Sequence, residues 1–267
     1  MQISGIRTHI TIGRSHILRC PRCVIVSERH RPLQVATLTL PDATAELFRN
    51  FKRDDVVQIQ LGYRNQQPAI WNGTVQRICQ GTTRDQIEIR AVDKALPLTT
   101  TLLTQVWENE TPEAIVAYAI RQTGLPLGRI SQTGRVLPKV VASNITVWQL
   151  VRQIAASCQK AFDLDMSHWA LWLGSAGVNW GDFDEPGPVP VIATGAGLLT
   201  HEPNFDPFGR SRIISLLQPS LRHSQQFGIK DVKRGIEAKH RALRVEQAIE
   251  PTKVRTLIDY GVENGWV

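Results

Sequence analysis

The chain has no apolar run long enough to cross a membrane. A spanning helix needs about 20 consecutive apolar residues, and the longest candidate, residues 189–199, is broken by Pro190, Thr194, Gly195 and Gly197. A signal peptide is not expected either, because Met1 to Leu18 carries Arg7 and Arg14 and has no apolar core to insert. Folding is therefore expected in a cytoplasm. Cysteine is scarce: Cys20, Cys23, Cys79 and Cys158 are all there are in 267 residues, which rules out a disulfide scaffold and fits reduced thiols. Acidic residues are outnumbered, 24 against 31 Lys and Arg, for a net charge of +7. Disorder is excluded in turn by an ordinary globular balance of 42% apolar and 21% charged residues.

Recognisable catalytic patterns are missing too. The seven histidines, His9, His16, His30, His168, His201, His223 and His240, form no HExxH pair. Gly174-Ser175-Ala176-Gly177 lacks the spacing of a nucleophile elbow. Gly195-Ala196-Gly197 lacks the third glycine and the helix of a dinucleotide motif, and reads as a kink in a strand. Asp163 and Asp165 sit two apart on one face of an expected strand, as paired catalytic carboxylates can; solvated strand carboxylates are the commoner case. Cys20-Pro21-Arg22-Cys23 has zinc-ligand spacing, with His16 and His30 near in sequence. No second pair accompanies it, and Cys23-Val24-Ile25-Val26 looks like the start of a strand, so ordinary packing of free thiols is expected. No enzyme activity, cofactor or metal is expected; Cys20 and Cys23 are the candidates if there is a metal.

What is present is strand-like alternation at both ends. Val57, Ile59 and Leu61 fall on one face at period two, followed by a polar turn at Arg64 to Gln67. Ala69 to Ile78 makes a long strand in which Gly73 marks a bulge or a close backbone approach. Asp85 to Asp93 alternates again. Near the C-terminus, Ser211 to Leu217 stops near Pro219 as Gln34 to Leu40 stops at Pro41. A short strand at Gln226 to Lys230, a longer one at Leu243 to Ile249 and a last one at Lys253 to Asp259 repeat the layout, which reads as a duplication of one small barrel.

Helices are expected between the two. Asp42 caps a short one running to Phe51, with Leu47, Phe48 and Phe51 closing one end of the first barrel. Thr111-Pro112-Glu113 opens another that ends at Gly124. Thr146 and Gln149 form a capping box for a third, whose inner side carries Val147, Leu150, Val151, Ile154, Ala155 and Cys158. Strands are expected at Leu137 to Ala142, Phe162 to Met166 and Trp169 to Leu173. Trp169 and Trp172 then point to opposite faces, so with Trp180 the cluster offers core residues or one interface anchor. Residues 182–188 form an acidic, turn-rich boundary. The divisions expected are 1–97, a first β-barrel; 98–188, an α/β insert; and 189–267, a second β-barrel.

Arg210 to Arg255 holds eleven Lys or Arg and four Asp or Glu. Such a field attracts nucleic acid, a membrane surface or an acidic partner without naming one.

The layout and several phrases resemble the baseplate or tail hub proteins of phages, the group that includes late control protein D and the hub part of type VI secretion spikes. The phrases are Val57 to Tyr63 followed by Trp71-Asn72-Gly73-Thr74-Val75; Asn144 to Leu150; and Leu221 to Asp231 followed by Arg244-Val245-Glu246. Such hubs often have Pro-Gly before the strand at Phe227, where this chain has His223-Ser224. The resemblance implies a mainly β chain, two tail-tube-like antiparallel barrels flanking a small α/β domain. It implies a homotrimeric ring of six barrels adapting a sixfold tail tube to a trimeric spike, within a virion baseplate assembled in the host cytoplasm. Its implied partners are the tube or distal tube hexamer, the spike and other baseplate proteins, with no membrane span and no sequence-specific nucleic acid. The alternative is a basic β-barrel that binds nucleic acid; a hydrolase of cell-wall sugars comes third.

Overall fold

A computed structural model describes residues 5–206, 209–251 and 253–263. In chain order the elements are β1 (Ile6–Ile12), β2 (Ser15–Ile17), β3 (Arg22–Glu28), β4 (Val35–Pro41), α1 (Glu46–Asn50), β5 (Val56–Tyr63), β6 (Ala69–Gln80), β7 (Gln86–Asp93) and α2 (Pro97–Thr100). The middle holds β8 (Leu102–Glu110), α3 (Pro112–Gln122), β9 (Leu127–Ile130), β10 (Leu137–Thr146), α4 (Val147–Phe162), β11 (Ala170–Leu173) and β12 (Val178–Gly181). The last part holds β13 (Val191–Thr194), β14 (Gly197–Glu202), β15 (Arg210–Leu216), β16 (Gln226–Asp231), β17 (Ile236–Arg241), β18 (Arg244–Glu250) and β19 (Lys253–Gly261).

These fall into two compact units. One comprises Met1–Glu28, Gln34–Lys94 and Pro186–Gly261; the other comprises Arg29–Leu33, Ala95–Glu185 and Val262–Val267. Both ends of the chain thus contribute to one β unit, and the α/β unit draws on three separate segments.

The β unit is a single mixed sheet of fourteen strands in the order β17-β16-β13-β14-β15-β19-β18-β3-β4-β7-β6-β5-β1-β2. Alternation built it as the sequence suggests. Ala36, Leu38 and Leu40 on β4, and Ile87, Ile89 and Ala91 on β7, point into one core with Ile10, Ile25, Ile59 and Trp71, so the N-terminal strands curl around a shared interior. Ile213, Phe227, Ile229, Val245, Ile258 and Tyr260 make a second core among the C-terminal strands. The expected pair of closed barrels is replaced by this continuous sheet. A lobe closes only if its edge strand turns back on itself, whereas β3 and β18 use their second edges on each other, from Arg244 opposite Glu28 to Ile249 opposite Cys23.

A strand order recurs in the two halves of the sheet. In the N-terminal lobe β3, β4, β7 and β6 are successive neighbours; in the C-terminal lobe β14, β15, β19 and β18 are, in the same relative order. All the pairings inside both sets are antiparallel. The two sets are joined head to tail, the last strand of one beside the first of the other.

The α/β unit is centred on α3 and α4, whose buried Ile115, Val116, Ala119, Leu150, Val151, Ile154 and Cys158 share one core with Leu171, Val178 and Trp180. Thr111 caps α3 by accepting from the Ala114 N–H, and Thr146 with Gln149 forms the expected capping box of α4. Strands β8 and β10 form a ribbon, while β11, β12 and β9 form a small sheet. No helix among the described residues is long and apolar enough to cross a membrane.

Several local expectations need correction. No strand runs from Phe162 to Met166: α4 continues to Phe162, Asp163 ends it at φ 52° in the left-handed region, and Asp165 lies in the following turn. Helix α1 starts later than expected, although the Asp42 carboxylate does accept from the Leu47 and Phe48 N–H groups at 3.0 and 2.9 Å. Leu47 and Phe51 reach the core, but Phe48 is half exposed and closes nothing.

Gly73 is the close approach its position suggested: a Cβ there would lie 2.2 Å from the Val92 carbonyl oxygen and 2.4 Å from the Trp71 ring. Gly73→Ala is therefore expected to cost about 2 kcal/mol or more, since neither backbone nor buried indole yields cheaply; urea unfolding of the variant with an unchanged slope and a lower midpoint is the measurement.

Candidate assembly surface and its buried anchors

The head-to-tail junction is crossed by charge as well as by backbone. Arg22 on β3 donates through Nε to Glu250 on β18 at 3.3 Å, and Arg244 on β18 sits directly opposite Glu28. Around it four of the eleven basic residues of the C-terminal segment, Arg212, Lys230, Arg234 and Arg244, form ion pairs. Arg212 makes a two-nitrogen contact with Asp259, at 2.8 and 3.2 Å, which raises the guanidinium above its usual range through that hydrogen bond and charge. Arg244 pairs with Glu246, Lys230 with Glu237 and Arg234 with Asp231.

Two further edges of the fourfold strand sets are open. Strand β5 pairs only with Ala69 to Thr74 of β6, leaving residues 76–80 with no strand on that side among the described residues. Strand β13 pairs only with Gly197 and Leu198 of β14, leaving residues 199–202 in the same condition. Unpaired ladder groups on a strand edge are a template for another strand. On the first edge Arg77 lies directly opposite Arg90, both exposed; like charges facing across a ladder destabilise it.

Behind the second edge lies a fully buried polar chain. His201 contacts Asp231 through Nδ1 at 2.8 Å and the Tyr260 hydroxyl through Nε2 at 2.7 Å, and His240 stacks on Tyr260 with ring centres 4.4 Å apart. The His201 hydrogen bond is the main cause holding the Asp231 carboxyl below its usual range, whereas burial raises the Tyr260 phenol. His201, Asp231 and Tyr260 are each at most 4% exposed, and their mutual hydrogen bonds brace three strands.

The α/β unit has its own buried anchor. Arg29 is 0% exposed; its Nε donates to Glu263 at 3.0 Å, and its terminal nitrogens donate to the carbonyls of His168, Gly181 and Phe183 at 2.8, 3.3 and 3.4 Å. The Trp172 ring lies 4.9 Å from the guanidinium carbon. Neither Arg29 nor Glu263 was singled out by the sequence. An Arg-His-Arg run beside a proline reads as solvated charge, and nothing local announces a partner at the other end of the chain.

The residues the sequence did single out are dispersed. Cys23 is buried in the N-terminal core, and Cys20 lies against the Arg22 and Thr39 carbonyls; both are free thiols. Burial pushes the Cys20 thiol up to about 11 and Cys23 higher still, which favours the thiol over the metal-binding thiolate. His16 contacts His9, and His30 belongs to the other unit, near Glu263 at 3.4 Å. Asp163 and Asp165 do not form a strand-borne pair; the Ser167 hydroxyl, and then its N–H at 2.9 Å, hydrogen-bond to Asp165 and lower its carboxyl. Trp172 and Trp180 are buried rather than free to anchor a partner, with Trp169 edge-on to Trp180 at 4.7 Å.

No protein-family model matches the chain, and no curated protein matches its sequence. Solved structures do share its fold. The 43 kDa tail protein of prophage MuSo2 from Shewanella oneidensis superposes with a TM-score of 0.69 at 8% identity, over 98% of each chain. A tail protein from Neisseria meningitidis MC58 gives 0.66 at 11% identity, again over 98% of each. An Escherichia coli component of the type VI secretion system, described as structurally similar to the bacteriophage T4 tail proteins gp27 and gp5, gives 0.64 at 9% identity over 95% of this chain and 76% of its own. The chain thus has the fold of phage tail and type VI secretion components.

Two outcomes follow from the anchors. Arg29→Met strands the Glu263 carboxylate in the interior and is expected to cost about 3–5 kcal/mol, with Arg29→Met/Glu263→Gln costing less than the two single changes combined; denaturant unfolding of the three variants measures it. His240 is held below its ordinary value of 6.5, first by burial and then by the neighbouring His201. Between that folded value and 6.5 the unfolded chain binds the extra proton, so stability is expected to fall as pH drops below 6.5 and to be flat above it. His240→Phe should remove part of that slope in melting curves taken from neutral to mildly acidic pH.

Proposed function

We propose that this protein is a structural hub of a phage tail baseplate or a related injection machine, working as a ring of three chains. In this reading the ring adapts a sixfold tail tube on one side to a threefold spike on the other, alongside other baseplate proteins. The observation that carries it is the head-to-tail repeat of four strands. Two similar units per chain supply six similar positions from three chains, and a heterologous junction is the kind that generates a ring when its rotation closes. A two-fold junction would instead have used equivalent strands and been complete in itself. The fold likeness to tail proteins and to a type VI secretion component supports the same reading.

The role proposed is non-enzymatic, and no cofactor is invoked. The location proposed is the virion tail, after assembly in the host.

Imaging of the assembled particle tests this directly. Three copies are expected on the axis between tube and tip, and their absence there overturns the reading whatever the isolated chain does.

A further inference from the structure

The junction inside one chain specifies the junction between chains down to the residue. Within the chain, β18, the last strand of the C-terminal set, pairs with β3, the first of the N-terminal set. The strands holding the same places in the other lobe are β6 and β14, and among the described residues each has a stretch with no strand on its outer side, at 76–80 and 199–202.

The register follows from inward-facing residues. Superposing β4 on β15 so that the buried Ala36 and Leu38 fall on the buried Ile213 and Ser215 sets Val35 on Arg212. Val35 pairs with Val92, and Arg212 with Asp259, so Arg90 falls on Leu257, and their ladder partners Arg77 and Glu246 coincide. On the other side, the partners of Val35 and Arg212 are Val26 and Glu202. Inside the chain Glu246 faces Val26. Between chains, the same geometry makes Arg77 face Glu202.

We propose that β6 of one copy pairs antiparallel with β14 of the next, with Arg77 opposite Glu202 and Cys79 opposite Thr200. The occupant of each open edge is thus a second copy of this chain, and the inference rests on the ring reading above. Charge complementarity supports the choice. The Arg77–Arg90 pair, repulsive in the isolated chain, gains a carboxylate at the exposed Glu202, and the row becomes Arg90, Arg77, Glu202, Arg212 across the two copies. An added strand satisfies the open ladder groups at the same time.

The natural Cys79 makes the register testable with one substitution. Directly opposed residues in an antiparallel ladder have Cα atoms about 4.5–5.5 Å apart, inside the roughly 4.4–6.8 Å that a disulfide spans. Thr200→Cys, oxidised mildly, is expected to give covalent dimers and trimers that thiol reductant reverses. The unsubstituted protein, Thr200→Cys/Cys79→Ser and the exposed control Thr44→Cys are expected to give none. In parallel, Arg77→Glu should raise the concentration for half-assembly by about tenfold or more through like-charge opposition, and Arg77→Glu/Glu202→Arg should restore it. Three-copy assemblies without the Thr200→Cys crosslink and without charge-swap rescue would overturn this edge while leaving the ring intact. Crosslinking of equal yield from Thr44→Cys, or single chains with no crosslink at any concentration, would overturn it as well. The ring itself would then stand or fall on the particle images alone.

Discussion

The antiparallel ladder between β3 and β18 is the constraint on which the β unit depends. It unites strands from opposite ends of the sequence; its crossing ion pair, Arg22 with Glu250, links residues 228 positions apart. Without it there would be two small lobes, each with an unpaired edge and a modest core. With it, Cys23 and Ile25 on β3 and Val245 on β18 are placed at the inner ends of two cores that share one continuous backbone network. The ion pair itself is half exposed and contributes little beyond register. The stabilisation comes from backbone groups that would otherwise lie unmatched beside buried side chains.

Such a ladder is costly in chain entropy, because the long intervening loop must close before any of its bonds form. The chain leaves the sheet at Glu28 and enters the α/β unit at Arg29, and it leaves the sheet again at Gly261 and returns to that unit at Val262. Arg29 and Glu263 then meet as a buried pair in which every arm of the guanidinium has a partner. A buried ion pair is weak evidence for net stability, but removing one partner leaves an uncompensated charge in the interior.

The parts that could be read in the sequence are those with a local cause. Period-two alternation located β4 to β7 and β15, β16, β18 and β19 because each has one buried face, whereas β17 was not expected; the caps of α3 and α4 were visible because capping is a contact between residues three apart. Gly73 was legible because only glycine tolerates a carbonyl at that distance. What failed was nonlocal or ambiguous. Phe162 to Met166 alternates like a strand, but the helix starting at Val147 had the momentum of an apolar stripe and spent Phe162 as its last turn. Closed barrels were expected because strand periodicity says nothing about which edge a strand pairs with. The His201, Asp231 and Tyr260 chain was invisible since its members come from three strands, and an inward-facing histidine in a short stretch looks like any other polar residue.

The arrangement of the two strand sets also explains an asymmetry in the surface. If a repeated unit ends on equivalent strands, its junction is symmetric and complete, and the remaining edges carry no instruction to associate. Here the last strand of one set meets the first of the other, so each junction made leaves another of the same kind unmade. A single chain satisfies one and leaves two matching halves, at β6 and at β14. Blunting those halves would have been simple, with a proline or a cluster of like charges on both. Instead one carries Arg77 and the other Glu202, opposite in sign, and the charge that is unfavourable beside Arg90 is the one that suits the other edge. In the proposed ring, edges so furnished are open because each chain supplies one part of a larger closed sheet, and the repeated strand set is the means by which one polypeptide would carry one of its joints already made.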